Sequence, residues 1–144
     1  MRRALLYLGS LAVAACRSET ANPVPEGMTV AGSLRYEATT LTGEPLLTGC
    51  MDITVLPDST IQGTWSTQWA AGADTMVEVG DQVGSGRLSG RLTEAGAHID
   101  LNPGYADNNV ILLAAPAGNG FAGTWEWSTF AGPPSRGRFS AVRD

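Results

Sequence analysis

Few side chains in this sequence have the type and spacing that chemistry requires. His98 is the only histidine, and it lies two residues before Asp100. A zinc site needs further Cys, His or carboxylate ligands, and none can be identified near it in the sequence. The carboxylates of Asp52, Glu78 and Glu126 could pair as acid and base, but nothing places them in one cleft. The pattern therefore favours a solvated histidine and isolated surface carboxylates.

Oxygen-bearing side chains also gather around residues 103–105, PGY. They are Asp100, Asn102, Asp107, Asn108 and Asn109. Such residues bind Ca²⁺ in proteins, but the spacing does not fit the EF-hand loop, and they are also ordinary turn residues. Neither a nucleophile elbow nor a metal-binding histidine pair is present. The sequence thus predicts a turn here, and a protein without enzymatic activity, metal or cofactor.

The residues that best fit a binding role are aromatic and come in two matching stretches. Residues 61–72 read IQGTWSTQWAAG and residues 121–132 read FAGTWEWSTFAG, and together they contain all four tryptophans. With the two-residue period of a strand, one predicted face carries Trp65, Trp69, Phe121, Trp125 and Trp127. These five could form a packed core, or could line a pocket for apolar molecules or sugar faces near the strand ends at Trp69 or Trp127.

The rest of the chain predicts the sheet that encloses these two strands. Short alternating runs are separated by turns rich in glycine and proline, and no segment shows a sustained helical stripe. Strands are predicted at 28–40, 48–56, 61–69, 75–79, 84–92, 97–101, 109–115, 121–128 and 136–143, with loops at 41–45 and 132–134. This pattern favours an all-β fold, an antiparallel up-and-down meander of eight or nine strands in a closed or nearly closed barrel. The alternative is a β-sandwich.

Four glycines on the predicted inner faces distinguish a barrel with an internal void from a solid barrel. They are Gly63, Gly86, Gly90 and Gly123. If they leave a void, an eight-stranded barrel has room for one small ligand. If the tryptophan rings fill the space that the glycines vacate, the barrel is solid and its loops make the contacts.

The N-terminus has the layout of a secretory signal. Arg2-Arg3 precede an apolar run at 4–15, which is shorter than the roughly twenty residues that span a bilayer. The run ends in Val13-Ala14-Ala15-Cys16, which resembles the lipobox of bacterial lipoproteins. That resemblance implies cleavage before Cys16, lipid on its sulfur, and an anchor in the bacterial cell envelope. The alternative is ordinary cleavage near Ala15, which would leave Cys16 as a thiol.

The residue after the cysteine bears on location. Arg17, rather than aspartate, favours the periplasmic side of the outer membrane over the inner membrane in lipoproteins of the enteric type. Without lipid, Cys16 could instead pair with Cys50 in the oxidising envelope. The predicted organisation is a signal peptide at 1–15, a lipidated flexible tether at 16–27 and a single β domain at 28–144. Ten tether residues, RSETANPVPE, reach about 30 Å when extended.

The charge of the chain limits its partners. Lysine is absent, and removal of the leader would leave seven arginines against fourteen acidic residues. An acidic chain without a basic cluster is unsuited to nucleic acid or to electrostatic docking on anionic lipid. The predicted contact with the membrane is therefore the lipid anchor, and the predicted partner is a small apolar ligand or a protein.

The β domain resembles the calycin families, the lipocalins and avidins. Their up-and-down barrels carry a Gly-x-Trp strand and a late arginine that covers the tryptophan. Here Gly63-Thr64-Trp65, Gly123-Thr124-Trp125 and either Arg138 or Arg143 match that pattern, although lipocalins place the Gly-x-Trp strand first. The resemblance implies a small apolar or aromatic ligand in the barrel, and no ligand residue is transferred from it. The alternative is a protein-interaction module, such as an inhibitor or an envelope-assembly accessory.

Overall fold

The protein folds into a closed antiparallel β-barrel of eight strands. The structure, a computed structural model, describes residues 30–117 and 119–143, so the predicted signal peptide and tether lie outside the described residues. The strands are β1 (Val30–Thr39), β2 (Pro45–Val55), β3 (Thr60–Trp69), β4 (Gly84–Thr93), β5 (Gly96–Asp100), β6 (Asn109–Ala117), β7 (Gly120–Thr129) and β8 (Gly132–Val142). Each strand pairs with the next, and β8 pairs with β1. The predicted all-β barrel is confirmed, and the sandwich alternative is wrong.

The alternation of side chains in the two tryptophan strands decides what fills the barrel. In β3, Ile61, Trp65 and Thr67 are buried, whereas Gln62 and Gln68 are exposed. β7 follows the same pattern, because its phenylalanine and first tryptophan are buried and its intervening threonine is exposed. The period of two places one face of each strand in the interior and the other in solvent.

One predicted strand, at 75–79, is a loop. Residues 70–83 connect β3 to β4 without regular structure. The alternation that predicted a strand is real, because Val79 is buried and Val77 packs against the core while Met76 and Glu78 are exposed. Alternate side chains of this loop pack over the end of the barrel. The loop therefore has the alternating burial of a strand, although it pairs with no strand.

The predicted loop at 132–134 is part of a strand. Pro133 and Pro134 belong to β8, although proline cannot donate a hydrogen bond to a ladder. They lie beside a register shift against β7, and pairing of β8 with β1 starts only at Arg138 opposite Thr39. The prolines therefore occupy a stretch of the strand where ladder pairing is interrupted on one side and has not begun on the other.

Because consecutive strands run in opposite directions, their connections divide between two ends of the barrel. The connections at 40–44, 70–83, 101–108 and 130–131 lie at one end, which we call the loop end. The connections at 56–59 and 94–95, and the one between β6 and β7, lie at the other, the entry end, where β1 begins at Val30. The chain thus enters the barrel at the end opposite its longest connection.

Candidate functional site

Three of the five aromatic residues predicted to line a ligand site lie in the packed core. Trp65, Phe121 and Trp125 are buried, and Trp125 is only 1% exposed. The indole nitrogen of Trp65 donates to the carbonyl of Leu101 at 2.7 Å, and that of Trp125 donates to the carbonyl of Thr39 at 3.0 Å. Both rings are therefore fixed by a satisfied polar atom as well as by packing.

Each of these two tryptophans lies over a glycine on the neighbouring strand. Trp65 pairs with Gly86 of β4, and Trp125 pairs with Gly137 of β8. A Cβ atom at Gly86 would lie 3.0 Å from the Trp65 indole nitrogen, and one at Gly137 would lie 2.5 Å from that of Trp125. The rings thus occupy the space that the missing side chains leave.

The other inward glycines also leave no empty space. At Gly63, Gly90 and Gly123 an added Cβ atom would overlap backbone atoms of the adjacent strand. Those glycines let neighbouring backbones approach closely, which helps a small barrel to coil. An added Cβ atom at any of the four glycines, Gly63, Gly86, Gly90 or Gly123, would therefore meet other atoms and not a void. This is what a solid barrel requires.

The long β3–β4 connection closes the loop end from inside. Gln82 is fully buried, and its amide nitrogen donates to the carbonyl of Val79 at 2.7 Å. The phenol of Tyr36 donates to the amide oxygen of Gln82 at 3.1 Å, and the hydroxyl of Thr67 donates to the Gln82 carbonyl. Burial raises the pKa of the Tyr36 phenol, so this donor stays protonated. The loop is held down by polar bonds to β1 and β3.

The remaining two aromatic candidates line an open groove at this end. Trp69 ends β3, Trp127 lies near the end of β7, and both are half-buried. The groove has a volume of about 500 Å³, within the range of roughly 300–1,000 Å³ that small-molecule sites occupy. Its apolar wall comes from Met76, Val77 and Val83 of the β3–β4 connection. The structure thus separates the five candidates into three core residues and two groove residues.

Asn108 organises the polar side of the groove. Its amide oxygen accepts a hydrogen bond from the Trp127 indole nitrogen at 2.7 Å, and its amide nitrogen donates to the Asp81 carboxylate at 3.1 Å. Asn102 donates to the backbone carbonyl of Asp81 at 2.8 Å. Gly80 has a φ of 65°, and a Cβ atom there would overlap the Trp127 ring. One asparagine therefore positions both an indole and a carboxylate.

Exposed apolar side chains concentrate at the loop end. Six large hydrophobic residues are exposed in the part of the chain that the structure describes, and five lie in the loop-end connections. Met76 and Phe130 are 86% and 88% exposed. The other three are Leu41, Val83 and Tyr105, whereas Leu113 is on the outer wall of β6. Every connection at this end presents one or two of them.

The same connections are strongly acidic. They carry five exposed carboxylates, on Glu44, Asp74, Glu78, Asp81 and Asp107, and contain no arginine or histidine. The ion pair of Arg35 with Glu37, and the contact at 3.7 Å between His98 Nδ1 and Asp100 Oδ2, involve strand residues. The loop-end connections therefore combine apolar projections with five carboxylates and no basic side chain of their own.

The candidate carboxylates are not brought together. Asp52 is on β2 and Glu126 on β7, two strands that are not adjacent in the barrel, and the groove that Glu78 lines includes neither. At the predicted turn around residues 103–105, the amide nitrogen of Asn109 donates to the Asp100 carboxylate at 2.6 Å. Residues 30–117 and 119–143 contain no group of three or more His, Cys, Asp or Glu side chains that could hold a metal ion.

The late arginines and the second cysteine have other surroundings. Arg138 is exposed and pairs with Thr124, and the guanidinium of Arg143 lies against Gly32 of β1. Cys50 lies on β2, where it pairs with Arg35 of β1 and Ser66 of β3. The sequence has one other cysteine, Cys16, which lies outside the described residues.

Comparisons with known proteins assign no function to this chain. No protein-family model matches the chain, and neither a curated protein nor a solved structure matches it significantly. Across the described ranges there is no helix long and apolar enough to cross a membrane.

Proposed function

We propose that this protein is a lipid-anchored lipoprotein of the bacterial cell envelope that binds a partner protein through the loop end of a solid barrel. The observation that carries the proposal is the projection of exposed apolar side chains from all four loop-end connections. Large exposed apolar patches with polar rims are typical of protein interaction sites. The protein acts by binding, as an inhibitor or an envelope-assembly accessory, and not by catalysis.

The packing of the interior supports loops, rather than a cavity, as the binding element. Tyr36, Met51, Trp125 and other inward side chains are almost fully buried, and so is Gln82 of the connection that closes the loop end. Tight packing of this kind is the normal state of a protein interior. A ligand within the barrel would have to displace these side chains.

The direction of the chain supports the same function. β1 begins at the entry end, opposite the apolar projections. A tether that joins a lipidated Cys16 to Val30 would attach the membrane to the entry end, leaving the loop end accessible to a partner. Periplasmic attachment to the outer membrane is the proposed location, as the arginine after the cysteine favours.

A second candidate function is the binding of a small apolar or aromatic ligand. The observation that favours it is the groove between Trp69 and Trp127, which is open to solvent and lined by apolar side chains. In this alternative the ligand occupies the mouth of the barrel, and Trp65, Phe121 and Trp125 support the site without touching the ligand.

The first prediction concerns the anchor. Mass spectrometry of the membrane fraction should find an N-terminal Cys16 that carries two or three acyl chains, palmitate among them. Cys16→Ser should release the domain from the membrane, because a lone β domain without its lipid has no other proposed attachment. Cys50→Ser is the matched control and should stay in the membrane fraction.

The second cysteine, Cys50, makes this test decisive. A bond from Cys50 to Cys16 would use the same sulfur atom that the lipid needs, so a mature protein can carry only one of the two modifications. A peptide in which Cys16 is joined to Cys50, without acyl chains, would exclude the lipid anchor.

The second prediction concerns the partner. A photoreactive p-benzoylphenylalanine in place of Phe130 should cross-link to one protein in intact cells, whereas the same group in place of Leu113 on the barrel wall should not. Met76→Ser in the cross-linking protein should reduce the yield at least about tenfold, because exposed apolar anchors dominate such interfaces.

Two outcomes would contradict the interaction module. One is cross-linking from position 113 but not from position 130. The other is no protein cross-link at all, together with a saturable change of tryptophan fluorescence on titration with fatty acids, hydrophobic dyes or oligosaccharides. That second result would establish the small-ligand alternative.

A further inference from the structure

The groove at the loop end has the composition of a site for an organic cation. Its lining includes two indoles, Trp69 and Trp127, and two carboxylates, Glu78 and Asp81. A cation over the face of an indole is attracted by the ring quadrupole, by about 0.5–2 kcal/mol depending on its desolvation. Nearby carboxylates add charge attraction that a purely apolar ligand would not use.

Trp127 and Asp81, two of these four side chains, are held in place before any ligand binds. Asn108 holds the Trp127 ring through its indole nitrogen and the Asp81 carboxylate through a second hydrogen bond. The Trp127 ring also lies against Gly80, so its position is fixed by packing as well. A site whose aromatic and acidic groups are held in advance costs less ordering on binding.

The negative charge around the groove disfavours two other occupants, a second copy of the chain and an anionic lipid headgroup. The four loop-end connections carry five carboxylates and no basic side chain. A second copy of the chain, docked end to end, would bring two sets of like charges together, and anionic lipid headgroups would be repelled. A positively charged occupant gains from these carboxylates.

We infer that the groove between Trp69 and Trp127 binds a lysine or arginine side chain of the partner protein. The apolar stem of that side chain lies along the indoles and Val77, and its charged head lies toward Glu78 and Asp81. The exposed Met76 and Phe130 make the surrounding apolar contacts. The inference rests on the proposed function only in naming a protein as the source of the cation.

A small probe tests the groove without the partner. Nα-acetyl-lysine amide and Nα-acetyl-arginine amide are titrated into the full-length, detergent-solubilised protein while the four indole N–H signals are followed by NMR, each assigned with a Trp→Phe variant. The signals of Trp69 and Trp127 should shift, and those of Trp65 and Trp125 should stay in place. Nα-acetyl-norleucine amide, which has the lysine stem without the ammonium, should bind about tenfold more weakly.

Two isosteric substitutions test the carboxylates. Glu78→Gln with Asp81→Asn should lower the affinity for the lysine probe about tenfold and remove its advantage over norleucine. Glu94→Gln is the matched control, because Glu94 is an exposed acid in the β4–β5 connection at the entry end. This substitution should leave the affinity for the lysine probe unchanged. Equal binding of norleucine, an unchanged double variant, or no shift with either cationic probe up to its solubility limit would overturn the inference.

The outcome is separable from that of the proposed function. If the cationic probes bind in the groove but position 130 cross-links to no protein, the cation site stands and the source is a free organic amine or guanidine. If position 130 cross-links to a protein while the cationic probes fail, the interaction module stands and its groove is not a cation site.

Discussion

Replacement of Trp125 by alanine should lower the free energy of unfolding by about 3–5 kcal/mol. The ring is almost fully buried, and it fills the space over Gly137 that no side chain occupies. Its removal leaves a cavity and also deprives the carbonyl of Thr39 of its donor. The measurement is urea unfolding followed by far-ultraviolet circular dichroism, because the substitution changes the fluorescence signal itself.

Two further variants separate the causes of that loss. Trp125→Phe keeps most of the ring but loses the indole N–H, so the expected loss is smaller than that of the alanine variant. Trp127→Ala removes a half-buried ring at the rim and should also cost less. A loss below about 1 kcal/mol for Trp125→Ala would mean that the core does not depend on this ring.

A loss of this size matters because domains of this kind are only marginally stable. Typical free energies of unfolding are about 5–15 kcal/mol, so one core tryptophan can account for much of the margin. The same reasoning distinguishes core from site. A residue whose replacement unfolds the barrel cannot be tested for binding, and this is why the groove is tested through Glu78 and Asp81.

The barrel itself could be predicted because its signals are local. In β3 and β7 the period of two places aromatic and polar residues on opposite faces, and the turn residues mark most strand ends. The turn at 57–59, for example, is closed by a hydrogen bond from the amide of Ser59 to the carbonyl of Leu56 at 2.9 Å. Neighbouring residues determine such features, so a single sequence carries them.

The groove could not be predicted because its parts come from distant positions. Trp69 was a candidate for its aromatic ring, but its neighbours in the groove, Asp81 and Asn108, come from two different connections. The sequence identifies Asn108 only as a turn residue or a candidate calcium ligand, although its hydrogen bond with Trp127 makes it the organiser of the groove. No spacing rule along the chain relates these residues.

The role of the β3–β4 connection could not be predicted from the sequence for a different reason. Residues 75–79 alternate like a strand, and Gln82 has a side chain that is usually solvated. Burial of an amide is acceptable only when both its donor and its acceptor are bonded, which here requires Tyr36 from β1 and Val79 from the same loop. That arrangement depends on closure of the whole barrel.

Replacement of Gln82 by alanine should therefore be the second most damaging of the substitutions considered, with a loss of about 2–4 kcal/mol. The Tyr36 phenol would lose its acceptor and the Val79 carbonyl its donor, and both groups would remain buried. Urea unfolding measures the global loss, and amide hydrogen exchange of residues 75–83 measures the opening of the connection. We expect exchange there to accelerate more than exchange in the strands.

Gln68→Ala provides the matched control, because Gln68 is the same residue type on the exposed face of β3. Its effect should remain within about 0.5 kcal/mol. Tyr36→Phe should fall between the two, since it removes one donor and leaves the ring in the core. If Gln82→Ala were as mild as Gln68→Ala, the connection would not be held by its buried amide. The walls of the groove formed by Val77 and Asp81 would then lack the fixed support that a preorganised cation site requires.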